Sequence, residues 1–110
     1  MAEKFQTMID RGRFNSRMKD YFDVYRIIIA HKFKRMELSS AIRSTFKNRG
    51  TEHVENHDFF QDDFGRDVSL DRQWNNYINK LKLDLPCFNE IHKVLVEFLQ
   101  PHWEELRGES

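Results

Sequence analysis

The chain has 110 residues and a mass of 13.4 kDa, enough for one domain and too short for two with separate cores. Eighteen basic residues balance eighteen acidic ones for a formal net charge of zero, which excludes a generally basic nucleic-acid binder while leaving room for a local basic patch. A charged fraction of 33% and a mean hydropathy of −0.77 accompany 14% aromatic residues, the composition of a soluble folded domain rather than a disordered chain.

Only four glycines and two prolines interrupt the sequence and β-branched residues do not alternate, so the expected fold is all-α, a single compact bundle of about five to six helices over residues 1–106. The first helix is expected from Glu3 to Arg11, with Phe5, Met8 and Ile9 inward and Gly12 ending it. Asn15 or Ser16 can cap a second helix that runs to about Phe33, with Met18, Tyr21, Phe22, Tyr25, Ile28 and Ile29 as its apolar stripe. Lys32, Phe33, Lys34 and Arg35 read as a helix end and connection, because cations complement the negative end of a helix. A third helix carries Leu38, Ala41, Ile42, Thr45 and Phe46 inward and closes at Gly50. A polar loop, Thr51 to His57, leads to a short turn from Asp58 to Phe64 that Gly65 terminates. Ser69 can cap a fifth helix with Leu70, Trp74, Tyr77, Ile78 and Leu81 inward. Pro86 suits the first turn of the last helix, which presents Phe88, Ile91, Leu95, Phe98 and Leu99. Pro101 is expected to kink or break it before Trp103 and Leu106, with a frayed tail over residues 107–110.

No apolar run approaches the ~20 residues of a membrane span, and charges occupy the N-terminal stretch where a secretory signal would be apolar. The single cysteine, Cys87, cannot form an internal disulfide, which fits a reducing compartment and a cytoplasmic location. Cys87 has no neighbouring base in sequence and reads as an incidental thiol.

The second helix sorts its polar residues. At about 100° per residue from Met18, Asp20, Asp23 and Ile27 fall near 200°, 140° and 180°, opposite the main stripe, with Val24 beside them. A solvent face should not combine Val24 and Ile27 with two carboxylates, so something is expected to cover it. Either another helix of the domain packs there, or the face meets a partner.

Glu3-Lys4-Phe5 after Ala2, followed by Met8, and the run from Ser16 to Tyr25 containing Arg17, Lys19, Asp20 and Asp23 resemble the AEKxxAL and RxKDxYDL segments of AbiEii/AbiGii nucleotidyltransferase-like toxins. Ala41 to Phe46, Arg49-Gly50-Thr51, Trp74 and the Phe98 to Pro101 ending are similar too. The resemblance implies the helical C-terminal portion of a toxin-antitoxin, abortive-infection enzyme, closing a nucleotide site with magnesium and a nucleoside triphosphate. It implies Lys4 and Asp20 as catalytic residues, and Lys4, Lys19 and Asp23 as nucleotide-binding residues. The family's glycine-serine turn and Asp-x-Asp pair do not occur in this sequence, so catalysis by this chain alone is not expected, and it reads as a truncated or split protein. The implied partners are an upstream nucleotidyltransferase half, or self-association, and an RNA substrate in the intact enzyme; base identity is expected to be read by groups outside this chain. No cofactor and no metal are expected for the chain by itself. The contrasting reading is a stand-alone, non-catalytic module that self-associates or binds a protein through the Asp20, Val24 and Ile27 face.

Three further constellations read as structural. His53 and His57, four apart beside Asp58, Asp62 and Asp63, lack a third placed ligand and read as a polar loop. His92 reads as a partly buried ring making one hydrogen bond, and Phe59, Phe60, Phe64 and Trp74 as core. Lys32, Lys34, Arg35, Arg43, Lys47 and Arg49 form a candidate basic patch, balanced by Glu37, Glu52 and Glu55 into an ordinary solvated face.

Overall fold

The computed structural model describes residues 1–14, 17–30, 34–51, 53–55 and 57–107, and among them it contains six α-helices and no strand. The all-α expectation holds. α1 spans Ala2–Arg11 and buries Phe5, Met8 and Ile9 as the spacing predicts, together with Ala2 and Gln6. Gly12 ends it at φ 55°, a left-handed conformation that glycine adopts without Cβ strain. α2 is Met18–Ala30; its expected cap at Asn15 or Ser16 and its expected end near Phe33 lie outside the described residues.

α3 is Arg35–Asn48 with Lys34 as its N-cap, so these two cations open a helix instead of closing one. It buries Leu38, Ser39, Ile42 and Phe46, while Ala41 is exposed. A 3-10 turn, Asp58–Phe60, and the short α4, Asp62–Gly65, present Phe59 and Phe64 to the core. α5 is Val68–Lys80, capped by Asp67, whose carboxylate accepts from the Leu70 N–H at 2.9 Å; the expected cap, Ser69, lies inside the helix. Leu81 is 49% exposed and Ile29 53%, so both leave the core faces assigned to them.

α6, Phe88–Arg107, is the spine against which α2, α3, α4 and α5 pack. Pro86 precedes the helix rather than entering its first turn; its carbonyl accepts the Trp74 indole N–H at 2.9 Å. Pro101 neither breaks nor ends α6. Beyond it Trp103, 2% exposed, sits between Phe5 and Phe46 at 6.4 and 5.9 Å and stacks on Phe60 at 5.7 Å. The Ser39 hydroxyl and His102 Nδ1 also meet at 3.0 Å. These contacts hold the last turns in place against the missing proline N–H. Arg107 still belongs to the helix and pairs with Glu55 at 2.8 Å, while residues 108–110 lie outside the described ones.

Of the two readings of the Asp20, Val24 and Ile27 side of α2, cover by the domain's own helices holds at two positions. Val24 is fully buried and Asp20 is 2% exposed, because α2 packs against α6 on one side and α1 on another. Ile27 is half-buried. Of Asp20, Val24 and Ile27, only Ile27 keeps exposed surface that a docking partner could meet.

His92 is buried, as expected, with Nε2 2.6 Å from the Phe59 carbonyl. Burial pushes His92 below the ordinary histidine range, more than the Phe59 carbonyl, Asp62 and Asp58 raise it. Burial likewise lowers His57, against the Ile9 backbone and Asp58, and lowers His102, against Glu105 and with help from Arg35. A histidine held neutral in the fold takes up a proton more readily when unfolded, so its stabilisation is present above about pH 6.5 and is lost as pH falls through that value. Thermal melts at pH 8, 6.5 and 5 are expected to show a constant Tm in the upper half of that range and a falling one in the lower. A Tm that is flat to pH 5 contradicts this account.

Candidate functional site

Lys4 lies one residue before Phe5, whose complete burial docks α1 on the core, and its side chain reaches α2. Its Nζ is 2.9 Å from Asp23 Oδ2 and 3.6 Å from Asp20 Oδ1. Lys19, one turn before Asp23, approaches the same Oδ2 at 3.3 Å. Thus the structure brings together all four residues singled out by the sequence resemblance. Asp20 is the most enclosed: its side chain is 3% exposed, and Oδ2 has no hydrogen bond, facing the Arg17 guanidinium at 3.8 Å. A carboxylate buried to this degree requires cations beside it, and Lys4 and Arg17 supply two.

The hydrogen bond to Asp23 holds the Lys4 ammonium above the ordinary lysine range, against some desolvation. Partial burial pushes Asp23 up, but hydrogen bonds from Lys4 and Lys19 outweigh it and leave the carboxyl below its usual range. At neutral pH Lys4 and Asp23 are therefore both ionised.

Lys4 and Asp20 line a pocket of about 520 Å³ together with Arg11, Arg17, Arg49, Glu3 and Asp10. Four cations against three carboxylates leave it net positive. Arg49 is fixed at its wall by Gln6, which is 4% exposed: Oε1 accepts from Arg49 Nη1 at 2.8 Å while Nε2 donates to Thr51 Oγ1 at 2.8 Å. The sequence reading assigned Arg49 to a surface patch and gave Arg17 no role of its own. Their place beside Lys4 depends on contacts 43 residues apart in the Gln6–Arg49 pair, a separation no local motif reports.

The resemblance implies magnesium, a hard cation that takes six oxygen ligands. Here the two nearby carboxylates both engage the Lys4 ammonium, and among the described residues no group of three His, Cys, Asp or Glu side chains could hold an ion. These residues therefore do not fit a magnesium site. They fit an anion, met by a lysine whose charge Asp20 and Asp23 hold in position.

The remaining candidates are structural. His57 Nδ1 caps the Asp58–Phe60 turn by accepting from the Phe59 N–H at 3.0 Å, and the His53 ring lies 4.6 Å from that of Trp103. Cys87 is exposed, and its carbonyl receives the Glu90 and Ile91 N–H groups that open α6. In the basic patch, Arg43 and Lys47 are exposed on α3 and Lys34 pairs with Glu37 at 4.0 Å; Lys32 and Glu52 lie outside the described residues. Phe59, Phe64 and Trp74 are fully buried and Phe60 partly so, which makes them core rather than a stacking platform. No helix among the described residues is long and apolar enough to cross a membrane.

The family model described as Nucleotidyl transferase AbiEii toxin, Type IV TA system, matches residues 1–106. Neither the curated proteins nor the solved structures give a match.

Proposed function

The chain belongs to the AbiEii nucleotidyl transferase toxin family, and from that membership we propose that it forms the phosphate-holding helical wall of a nucleotidyltransferase toxin. The observation that carries this reading is that Lys4, held by Asp20 and Asp23, lines a pocket whose walls carry more cations than carboxylates. Lys4 contacts the nucleotide phosphates as a point charge. Asp20 and Asp23 position it, and Lys19 keeps Asp23 ionised. Arg17 and Arg49 stand on the same wall and add charge where phosphate oxygens would lie.

Group transfer also needs an acceptor and paired carboxylates for metal. With no glycine-serine turn and Asp-x-Asp pair in this sequence, those parts come from a nucleotidyltransferase core that pairs with these helices. We propose a cytoplasmic protein whose transfer acceptor is an RNA.

Titration of a nucleoside triphosphate in magnesium buffer, followed by amide shifts of residues 3–23, tests the pocket. Removing a charge-assisted phosphate contact is expected to weaken binding about 10- to 100-fold in Lys4→Ala. Asp20→Asn is expected to weaken it less, since Asp23 still holds the lysine. Unchanged affinity in a folded Lys4→Ala protein would rule the assignment out.

A further inference from the structure

A second cavity, of about 470 Å³, opens between α2 and α5 and shares Arg17 with the phosphate pocket. We infer that this groove is a nucleoside subsite, which takes the base and ribose of the nucleotide whose phosphates lie against Lys4. The inference rests on the proposed function above and extends it from the phosphates to the rest of the ligand. Its volume lies within the ~300–1,000 Å³ typical of small-molecule sites.

The lining matches that ligand part by part. Tyr77 supplies a flat aromatic wall, and its ring is held by an edge contact with Phe22 at 6.0 Å and by Trp74 at 6.0 Å. A ring fixed in this way can stack a base without first losing rotational freedom. Met18, 4% exposed, gives the groove an apolar floor. Gln73 and Asn76, three residues apart on α5, line the groove together; Gln73 Nε2 also donates to Ser69 Oγ at 3.2 Å, and the two amides between them carry the donors and acceptors that base edges require. Arg17, Lys19 and Lys80 are cations and, among the described residues, no carboxylate lines the groove, so it favours a ligand that carries anionic phosphates at the end next to Arg17.

Two cations of α2 join the sites: Arg17 lines both cavities, and Lys19, which lines the groove, pairs at 3.3 Å with the Asp23 carboxylate that holds Lys4. A ligand spanning the two cavities would therefore pass Arg17 where its sugar meets its phosphates. The sequence reading put base recognition outside this chain, whereas Gln73 and Asn76 locate base-edge readers within it.

The experiment compares ATP, CTP, GTP and UTP with inorganic tripolyphosphate, using the chain and its Tyr77→Leu, Asn76→Ala and Lys4→Ala variants. At least one nucleoside triphosphate is expected to bind more tightly than tripolyphosphate. Tyr77→Leu, which keeps an apolar contact for Phe22 and Trp74, is expected to weaken that nucleotide about 5- to 100-fold, the usual range for one lost base stack. Its tripolyphosphate affinity is expected to stay unchanged, while Lys4→Ala weakens both ligands. Should Tyr77→Leu fail to fold, exposed Asn76→Ala carries the same comparison through its selectivity among the four bases. If tripolyphosphate binds through Lys4 and no nucleotide binds better, the subsite is overturned and the phosphate reading survives. If neither tripolyphosphate nor any nucleotide binds, both are overturned.

Discussion

Trp103→Ala is expected to destabilise the fold by about 3–5 kcal/mol, the range for truncating a large buried aromatic. Trp103 is 2% exposed and joins four parts of the chain: Phe5 of α1, Phe46 of α3, Phe60 of the 3-10 turn and the loop histidines His53 and His57. These partners come from elements that cannot close over the space together, so much of the cavity would persist. Against a total stability of roughly 5–15 kcal/mol, that loss is a large share. Trp103→Phe retains a ring and is expected to lose less, which keeps the comparison measurable should the alanine variant unfold. Urea unfolding followed at 222 nm provides the check. An unfolding free energy for Trp103→Ala within about 1 kcal/mol of the parent's would show that the turns after Pro101 are not anchored as described.

Gly65→Ala is the second large effect, and its sign runs against helix propensity. Alanine inside a helix ordinarily gains up to about 1 kcal/mol over glycine. Here a Cβ would lie 2.6 Å from His92 Nδ1 and 2.9 Å from Asn89 Oδ1. The asparagine amide can swing away, but His92 is stacked on Phe64 at 5.2 Å and bonded through Nε2 to the Phe59 carbonyl at 2.6 Å. Moving that ring breaks a buried hydrogen bond and forces α4 from α6. Overpacking of this kind costs about 1–3 kcal/mol, and the net expectation is a lower midpoint in urea with an unchanged slope. A midpoint equal to or above that of the parent would contradict it. α4 ends at Gly65, as the sequence predicts, and the structure adds a second reason for the glycine: its φ is unexceptional and its missing side chain admits His92.

The four resemblance-derived residues were legible through their motifs, and the structure adds how they meet. The helical-wheel arithmetic correctly put Asp20 and Asp23 on one side of α2, away from the stripe containing Tyr21 and Ile28. It could not say which elements cover Asp20 and Val24, nor that Lys4 of α1 pairs with Asp20, since a wheel describes one helix and not its neighbours. Arg17 and Arg49 show the same gap. Neither has a local pattern that marks a pocket, and Arg49 is held by Gln6 from the middle of the first helix.

What the sequence determined by itself was the helical architecture and the places where most helices lie, because apolar spacing at three and four residues, Gly12 and the scarcity of strand formers act over one or two turns. The tertiary structure alone decided which faces of α2 are covered, that α6 continues through Pro101, and that Lys4 spans Asp20 and Asp23 beside a cationic pocket. Those outcomes arise from packing and charge pairing between segments distant in the chain, where burial of Trp103 or a cation beside Asp20 outweighs the preference of any single residue.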